Sequence, residues 1–143
     1  MSFMKELEVA QMLATWAHRN QVDKAGRPYI LHPERVAASL SSDVEKAVAW
    51  LHDVIEDTEI NAQDMMKLGI SFKVAKAVTA LTHLPGEPNV TYWARIKENP
   101  LALVVKLADI ADNSSKERMA ALDDETQERL TLKYAKAVEF LTR

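Results

Sequence analysis

The chain has 143 residues, enough for one domain with a single sizeable core. At 48% hydrophobic and 27% charged with a net charge of −3, it is neither a disordered chain nor one with a general nucleic-acid surface. It contains no cysteine, which excludes disulfides, thiolate metal sites and cysteine nucleophiles and fits a reducing, cytoplasmic location.

Helical periodicity runs along the sequence and no strand-type alternation persists. The opening MSFMKELEVA lacks the basic-then-apolar order of a signal peptide. Phe3, Leu7, Ala10, Leu13, Ala14 and Ala17 mark one face of a first helix ending near Arg19. A polar loop, NQVDKAGRPYILHP, follows, and Pro33 suits the first position of a second helix, PERVAASL. Ser42 and Glu45 form a capping box for one continuous helix, DVEKAVAWLHDVIED. Asn61 caps a short helix that Gly69 stops, and Ser71 opens FKVAKAVTALTH. After the loop LPGEPN come two more helices, VTYWARIKEN and PLALVVKLADIADN. Asp123 caps the last, with Leu130, Tyr134, Ala137, Val138 and Leu141 along one side. The longest apolar run, LALVVKLADIA, is interrupted by Lys106 and Asp109, so no membrane span is expected. The reading is all-α: residues 1–143 as one helical bundle of about seven or eight helices. Trp16, Trp50 and Trp93 read as core or edge packing, since no basic residues interleave with them.

The stretch LHDVIEDT, residues 51–58, carries the first chemical signal. On a helical wheel Ala47, Val48, Leu51, Val54 and Ile55 fall in an arc of roughly 120°, and His52, Asp53, Glu56 and Asp57 in an opposite arc of roughly 140°. Asp53 repels Glu56 and Asp57 at i,i+3 and i,i+4, each pair by about 0.2–0.5 kcal/mol. The arc holds no lysine or arginine, so it is either a solvated face or a place for a cation. In PLALVVKLADIADN the strongly polar residues Lys106, Asp109, Asp112 and Asn113 share one side of the helix. A carboxylate in so apolar a segment is paired, here with Lys106, or binds metal. His32 directly precedes Pro33, which favours extended backbone at the histidine and fixes its direction, as a ligand or as an N-cap-like residue. His18 and His83 sit near helix C-termini, where an imidazole complements the last carbonyls. His32, His52, Asp53 and Asp109 thus make a two-histidine, two-aspartate set from three segments.

Three blocks, AHRNQVDKAGRPYILHPERVA at 17–37, LHDVIEDT at 51–58 and VVKLADIADN at 104–113, resemble the HD-domain phosphohydrolases. The closer resemblance is to the hydrolase domain of RelA/SpoT-type alarmone enzymes and their small stand-alone relatives. It implies an all-α HD-domain bundle holding one divalent metal, usually manganese. By motif match it implies His32, His52, Asp53 and Asp109 as ligands and Glu56 and Asp57 as the pair that handles the water and the protons. It places Asn113 near the nucleotide's sugar and Lys24 beside its base, and it implies removal of the 3′-pyrophosphate from guanosine tetra- or pentaphosphate. Asp23 departs from the pattern: alarmone hydrolases commonly have there an arginine that stacks on guanine. Ile110 and Asp112 replace a basic residue and an aromatic or histidine.

Four mixed imidazole and carboxylate ligands suit a five- or six-coordinate manganese or iron ion with open positions, whereas a tetrahedral zinc site would be closed by them. Mn2+ is the expected ion, with Fe2+ or Zn2+ as alternatives. Lys106, Arg95 and Lys97 are the candidates to help with phosphate charge. The expected partner is a small-molecule nucleotide, with no nucleic acid and no membrane. The rival readings are hydrolysis of another nucleotide or a phosphorylated dinucleotide, and nucleotide binding without turnover.

Overall fold

The computed structural model describes residues 4–143, so Phe3 lies outside the described residues. The described chain is helical, with ten segments: α1 (Glu6–Ala17), α2 (Leu31–Ala38), α3 (Asp43–Leu51), α4 (Val54–Asp57), α5 (Ala62–Lys67), α6 (Phe72–Ala80), α7 (Asn89–Lys97), α8 (Pro100–Asn113), α9 (Lys116–Ala120) and α10 (Asp124–Thr142). The two segments beyond the expected seven or eight come from a break inside the third predicted helix and from the five-residue α9, whose N-cap is Ser115.

Local chemistry accounts for most boundaries. Ser42 and Glu45 close the capping box of α3, Asn61 and Asp64 do so for α5, and Ser71 and Asp123 cap α6 and α10. Asn99 caps α8 while Pro100 fills its first turn, where no amide donor is needed. Gly69, at φ +107°, ends the short helix in a backbone region that a side chain would strain.

Two expectations about backbone are corrected. His32 does not sit in extended chain before a helix: α2 begins at Leu31, so His32 and Pro33 both occupy its first turn, where proline's missing N–H does no harm. The helix through LHDVIEDT is not continuous either. It breaks at His52 and Asp53, with Asp53 at φ −104° and ψ 0°. The wheel drawn through residues 47–57 therefore places His52 wrongly: it is buried, 3% exposed, and not on an outer polar face.

The core is continuous, and α3 lies at its centre, packed against α1, α2, α6 and α8. Its residues Ala47, Val48, Ala49 and Leu51 are fully buried, as is Val54 after the break. The second central helix, α8, packs against α2, α3, α6, α7 and α10. Trp50 and Trp93 are buried, whereas Trp16 is exposed with the Arg19 guanidinium 4.2 Å above its ring. No helix among the described residues is long and apolar enough to cross a membrane.

Candidate functional site

Three helices bring their polar residues to one buried point. His32 comes from the first turn of α2, His52 from the end of α3, and Asp109 from the last turns of α8. All three are nearly solvent-free, and one ligand atom from each lies within 4.8 Å of the other two. His32 Nε2 is 2.8 Å from Asp109 Oδ1, and His52 Nε2 is 3.3 Å from the same oxygen. Asp53 joins the group through His52: its Oδ2 lies 3.0 Å from His52 Nε2 and accepts a hydrogen bond from the Tyr29 hydroxyl.

His52 tests whether these residues suit a cation. Its Nδ1 is 2.6 Å from the Ala49 carbonyl oxygen, a contact that only a protonated nitrogen can make. The opposite nitrogen, Nε2, is buried without a hydrogen-bond partner and faces two carboxylates. A lone pair among carboxylate oxygens is repulsive, so the geometry calls for a positive species there. Without a metal that species is a proton. Burial alone would lower the His52 pKa, but Asp53 and Asp109 outweigh it and raise it well above the ordinary imidazole value. Burial likewise works to raise Asp109, yet the Lys106 ammonium and the two histidines hold its carboxyl well below the usual range. A divalent ion between two imidazoles and these carboxylates would serve in the proton's place, and the mixed N/O donor set fits manganese or iron.

Glu56 and Asp57 sit on the one-turn helix α4, on the solvent side of the buried group. Glu56 Oε1 accepts the His83 backbone N–H at 2.7 Å, and Asp57 Oδ2 accepts from Gln21 Nε2 at 3.4 Å. Partial burial raises the pKa of both, with the Asp53 charge adding to it. Burial contributes more to this rise than repulsion between the two carboxylates.

A cavity of about 190 Å³ opens on this group, lined among others by His32, Asp53, Glu56, Lys106 and Asp109. Lys106 donates to Asp109 Oδ2 at 3.1 Å and lies 5.3 Å from the Tyr92 ring centre. Asn113 donates to Asp109 Oδ1 at 3.1 Å. Tyr29, Asn113 and Tyr134 also line a second, outer cavity of about 270 Å³, whose rim includes Lys24, Arg35 and Arg118. A third, larger cavity, about 1070 Å³, lies between α5, α6 and the start of α8 and shares none of these residues.

Several residues escaped the sequence reading. Lys133 of α10 lines the inner cavity, and burial together with Lys106, Arg129 and Lys24 lowers its ammonium pKa. His83 does not cap α6, whose C-cap is Leu81: its ring stacks on Tyr92 at 4.4 Å and its Nε2 donates to the Glu87 carbonyl in the following loop. His18 holds the C-cap position of α1 through its backbone N–H, but its imidazole does not meet the helix's last carbonyls: Nδ1 bonds Gln21 Oε1 at 2.7 Å. Asp112, read as a departure, bonds His32 Nδ1 at 2.6 Å. Only three-dimensional packing could have found this pair, 80 residues apart. Two phosphate candidates are corrected. Arg95 is taken up by Glu87 at 2.5 Å and by the Ala80 and Thr82 carbonyls, and Lys97 donates to the Arg143 carbonyl.

No family model matches the chain. It is 34% identical over 121 residues to the guanosine-3′,5′-bis(diphosphate) 3′-pyrophosphohydrolase of Aquifex aeolicus, covering 76% of this chain and 17% of that protein. With the Streptomyces coelicolor GTP pyrophosphokinase it shares 33% identity over 141 residues, 90% of this chain and 16% of that one. With the Escherichia coli bifunctional (p)ppGpp synthase/hydrolase SpoT it shares 41% over 85 residues, 57% and 12%. The chain is a homologue of the RelA/SpoT-type alarmone enzymes. It spans under a fifth of the length of these curated relatives. This alarmone-enzyme homologue also superposes on a solved structure described as a metazoan ortholog of SpoT that hydrolyses ppGpp and plays a role in starvation responses. The TM-score is 0.79 over 99% of this chain and 88% of the other at 23% identity, a match that shows the shared helical fold.

Proposed function

We propose that residues 1–143 act as one metal-dependent phosphohydrolase domain that removes the 3′-pyrophosphate of guanosine tetra- or pentaphosphate. The observation that carries it is the buried His52 Nε2, turned without a hydrogen-bond partner toward Asp53 and Asp109, beside His32 and under a cavity rimmed by Glu56. The names of the relatives supply the substrate class: a 3′-pyrophosphohydrolase of guanosine bis(diphosphate) and a (p)ppGpp synthase/hydrolase.

In this reading His32, His52, Asp53 and Asp109 hold one divalent ion, Mn2+ in preference to Fe2+ or Zn2+. When bound, the ion supplies Lewis-acid polarisation to a phosphate oxygen and to water. Glu56 and Asp57 take the proton from the attacking water and return one to the leaving 3′-oxygen as the O3′-side phosphorus–oxygen bond breaks. Lys106, and Lys133 across the same cavity, offset phosphate charge. Asn113 and Lys24 hold the sugar and base ends in the passage to the outer cavity. The partner is a small-molecule nucleotide and the compartment the cytoplasm.

One observation favours a second substrate within the same chemistry. Asp23 stands where alarmone hydrolases commonly stack an arginine on guanine, and its carboxylate accepts the Ala25 and Arg27 backbone N–H groups of its own loop, at 2.9 and 3.0 Å. A nucleotide panel with and without Mn2+ tests both. Pyrophosphate release from guanosine tetraphosphate, dependent on Mn2+, is the expected result. Failure on that substrate with clear hydrolysis of another nucleotide would move the substrate and keep the class, and binding without turnover of any of them would sink the hydrolase reading.

A further inference from the structure

We propose that Asp112 is a positioning residue that holds His32 with its Nε2 lone pair aimed at the metal, an inference that rests on the metal reading above. Asp109 and Asp112 are three residues apart on α8, so their carboxylates lie on one face, and they bracket the His32 ring from α2. His32 Nε2 is 2.8 Å from Asp109 Oδ1 and Nδ1 is 2.6 Å from Asp112 Oδ2. A neutral imidazole carries one proton. With Asp112 as the acceptor at Nδ1, that proton stays on Nδ1 and Nε2 is left as a ligand lone pair inside the buried group.

The carboxylate is itself held. Arg35 grips both its oxygens, Nε to Oδ1 at 2.8 Å and Nη2 to Oδ2 at 3.2 Å, and Arg118 Nη1 reaches Oδ2 at 3.1 Å. Arg118 Nη1 also lies 2.7 Å from His32 Nδ1 and could donate to it only if that nitrogen were unprotonated; metal binding through Nε2 puts the proton on Nδ1, where Asp112 accepts it, and leaves Arg118 to its other acceptors. Its bonds go to Asp112 Oδ2 and, at 2.7 Å, to Asn113 Oδ1. Asp112 thus links the ligand histidine to two arginines that keep it from swinging out of line. A merely structural Asp112 would instead serve to tie α2 and α9 to α8 through those arginines.

Calorimetric titration of the metal-free full chain with Mn2+ separates the two roles, with melting of the metal-free protein as the folding check. Asp112→Ala is expected to weaken Mn2+ binding by about 10- to 100-fold, the usual effect of losing a histidine ligand's carboxylate partner. Asp112→Asn keeps an acceptor oxygen without the charge and is expected to fall between wild type and Asp112→Ala. It also decides the matter should Asp112→Ala fail to fold. Arg35→Ala breaks the tie but leaves the His32–Asp112 bond, so its affinity should stay within about threefold of wild type, a small fraction of the carboxylate's effect. Wild-type affinity in both Asp112 variants, or an Arg35→Ala loss equal to that of Asp112→Ala, overturns the inference alone. A wild-type chain that takes up no Mn2+ overturns the metal reading and this inference with it.

Discussion

The inner and outer cavities meet at Tyr29, Asn113 and Tyr134 but are built on different principles. The inner one is framed by helices whose positions the core fixes, and its polar groups crowd one another: Asp109 alone contacts His32, His52, Lys106 and Asn113, while His52 Nε2 is left without a hydrogen-bond partner. The outer one is framed by the loop between α1 and α2 and by the five-residue α9, and its cations Lys24 and Arg35 are exposed. In the proposed reading chemistry is tied to the core, while recognition falls to a loop and a short helix outside it. Asp23 in that loop bonds its own backbone, accepting the Ala25 and Arg27 N–H groups.

The comparison breaks most visibly at the inner wall. Asp53→Ala is expected to abolish both metal retention and turnover. Losing several kcal/mol of Lewis-acid stabilisation corresponds to a rate loss of more than about 10³-fold. Elemental analysis beside a turnover assay checks it, and retained stoichiometric metal would remove Asp53 from the ligand set. Glu56→Ala and Asp57→Ala come next. Each should keep its metal and lose about 10²- to 10⁴-fold in kcat, the range for general acid–base groups. Unchanged hydrolysis in both would mean that the proton travels through another group.

How far the two cavities were legible in the sequence follows the same division. The caps at Ser42, Asn61, Ser71 and Asp123 and the span of α8 could be read directly, because each depends on neighbours within one turn. The convergence of His32, His52 and Asp109 was readable as a set of residue types in three segments, since buried imidazoles and carboxylates need partners. What failed depended on tertiary packing. The break at His52 and Asp53 opposes the helical period, and it turns His52 inward toward α2 and α8. Arg95 looked available because Glu87, eight residues away, reaches it only once the loop before α7 folds back. Lys133 carried no local signal, for it becomes part of the site only when α10 packs against α7 and α8.

At the outer wall the expected effects are smaller and of another kind. Lys24→Ala removes an exposed cation from the rim and should raise KM about tenfold, or 1.4 kcal/mol, with kcat nearly unchanged. Steady-state kinetics over a range of salt concentrations checks it, because an exposed charge contact weakens as ions screen it. An equal fall in kcat with KM unmoved would place Lys24 in the reacting part of the site and erase the distinction between the cavities.

Asp23 supplies the finest test, because its two possible roles respond oppositely. If the carboxylate serves mainly to bond the Ala25 and Arg27 amides, Asp23→Asn keeps an acceptor oxygen and the fold should hold within about 0.5 kcal/mol. Asp23→Ala leaves both amides without that partner and should cost about 1 kcal/mol, as loss of a comparable side-chain cap does. Asp23→Asn also removes a negative charge from the rim of a site proposed to bind a polyanion. At a partly exposed position that is worth roughly 0.5 kcal/mol, or about a twofold fall in KM. Denaturant melts of the three proteins beside their KM values read the two effects separately. A large rise in KM for Asp23→Asn, with stability unmoved, would show the carboxylate to be a substrate contact, and the outer cavity would then select a nucleotide carrying donors where alarmone hydrolases receive the face of guanine.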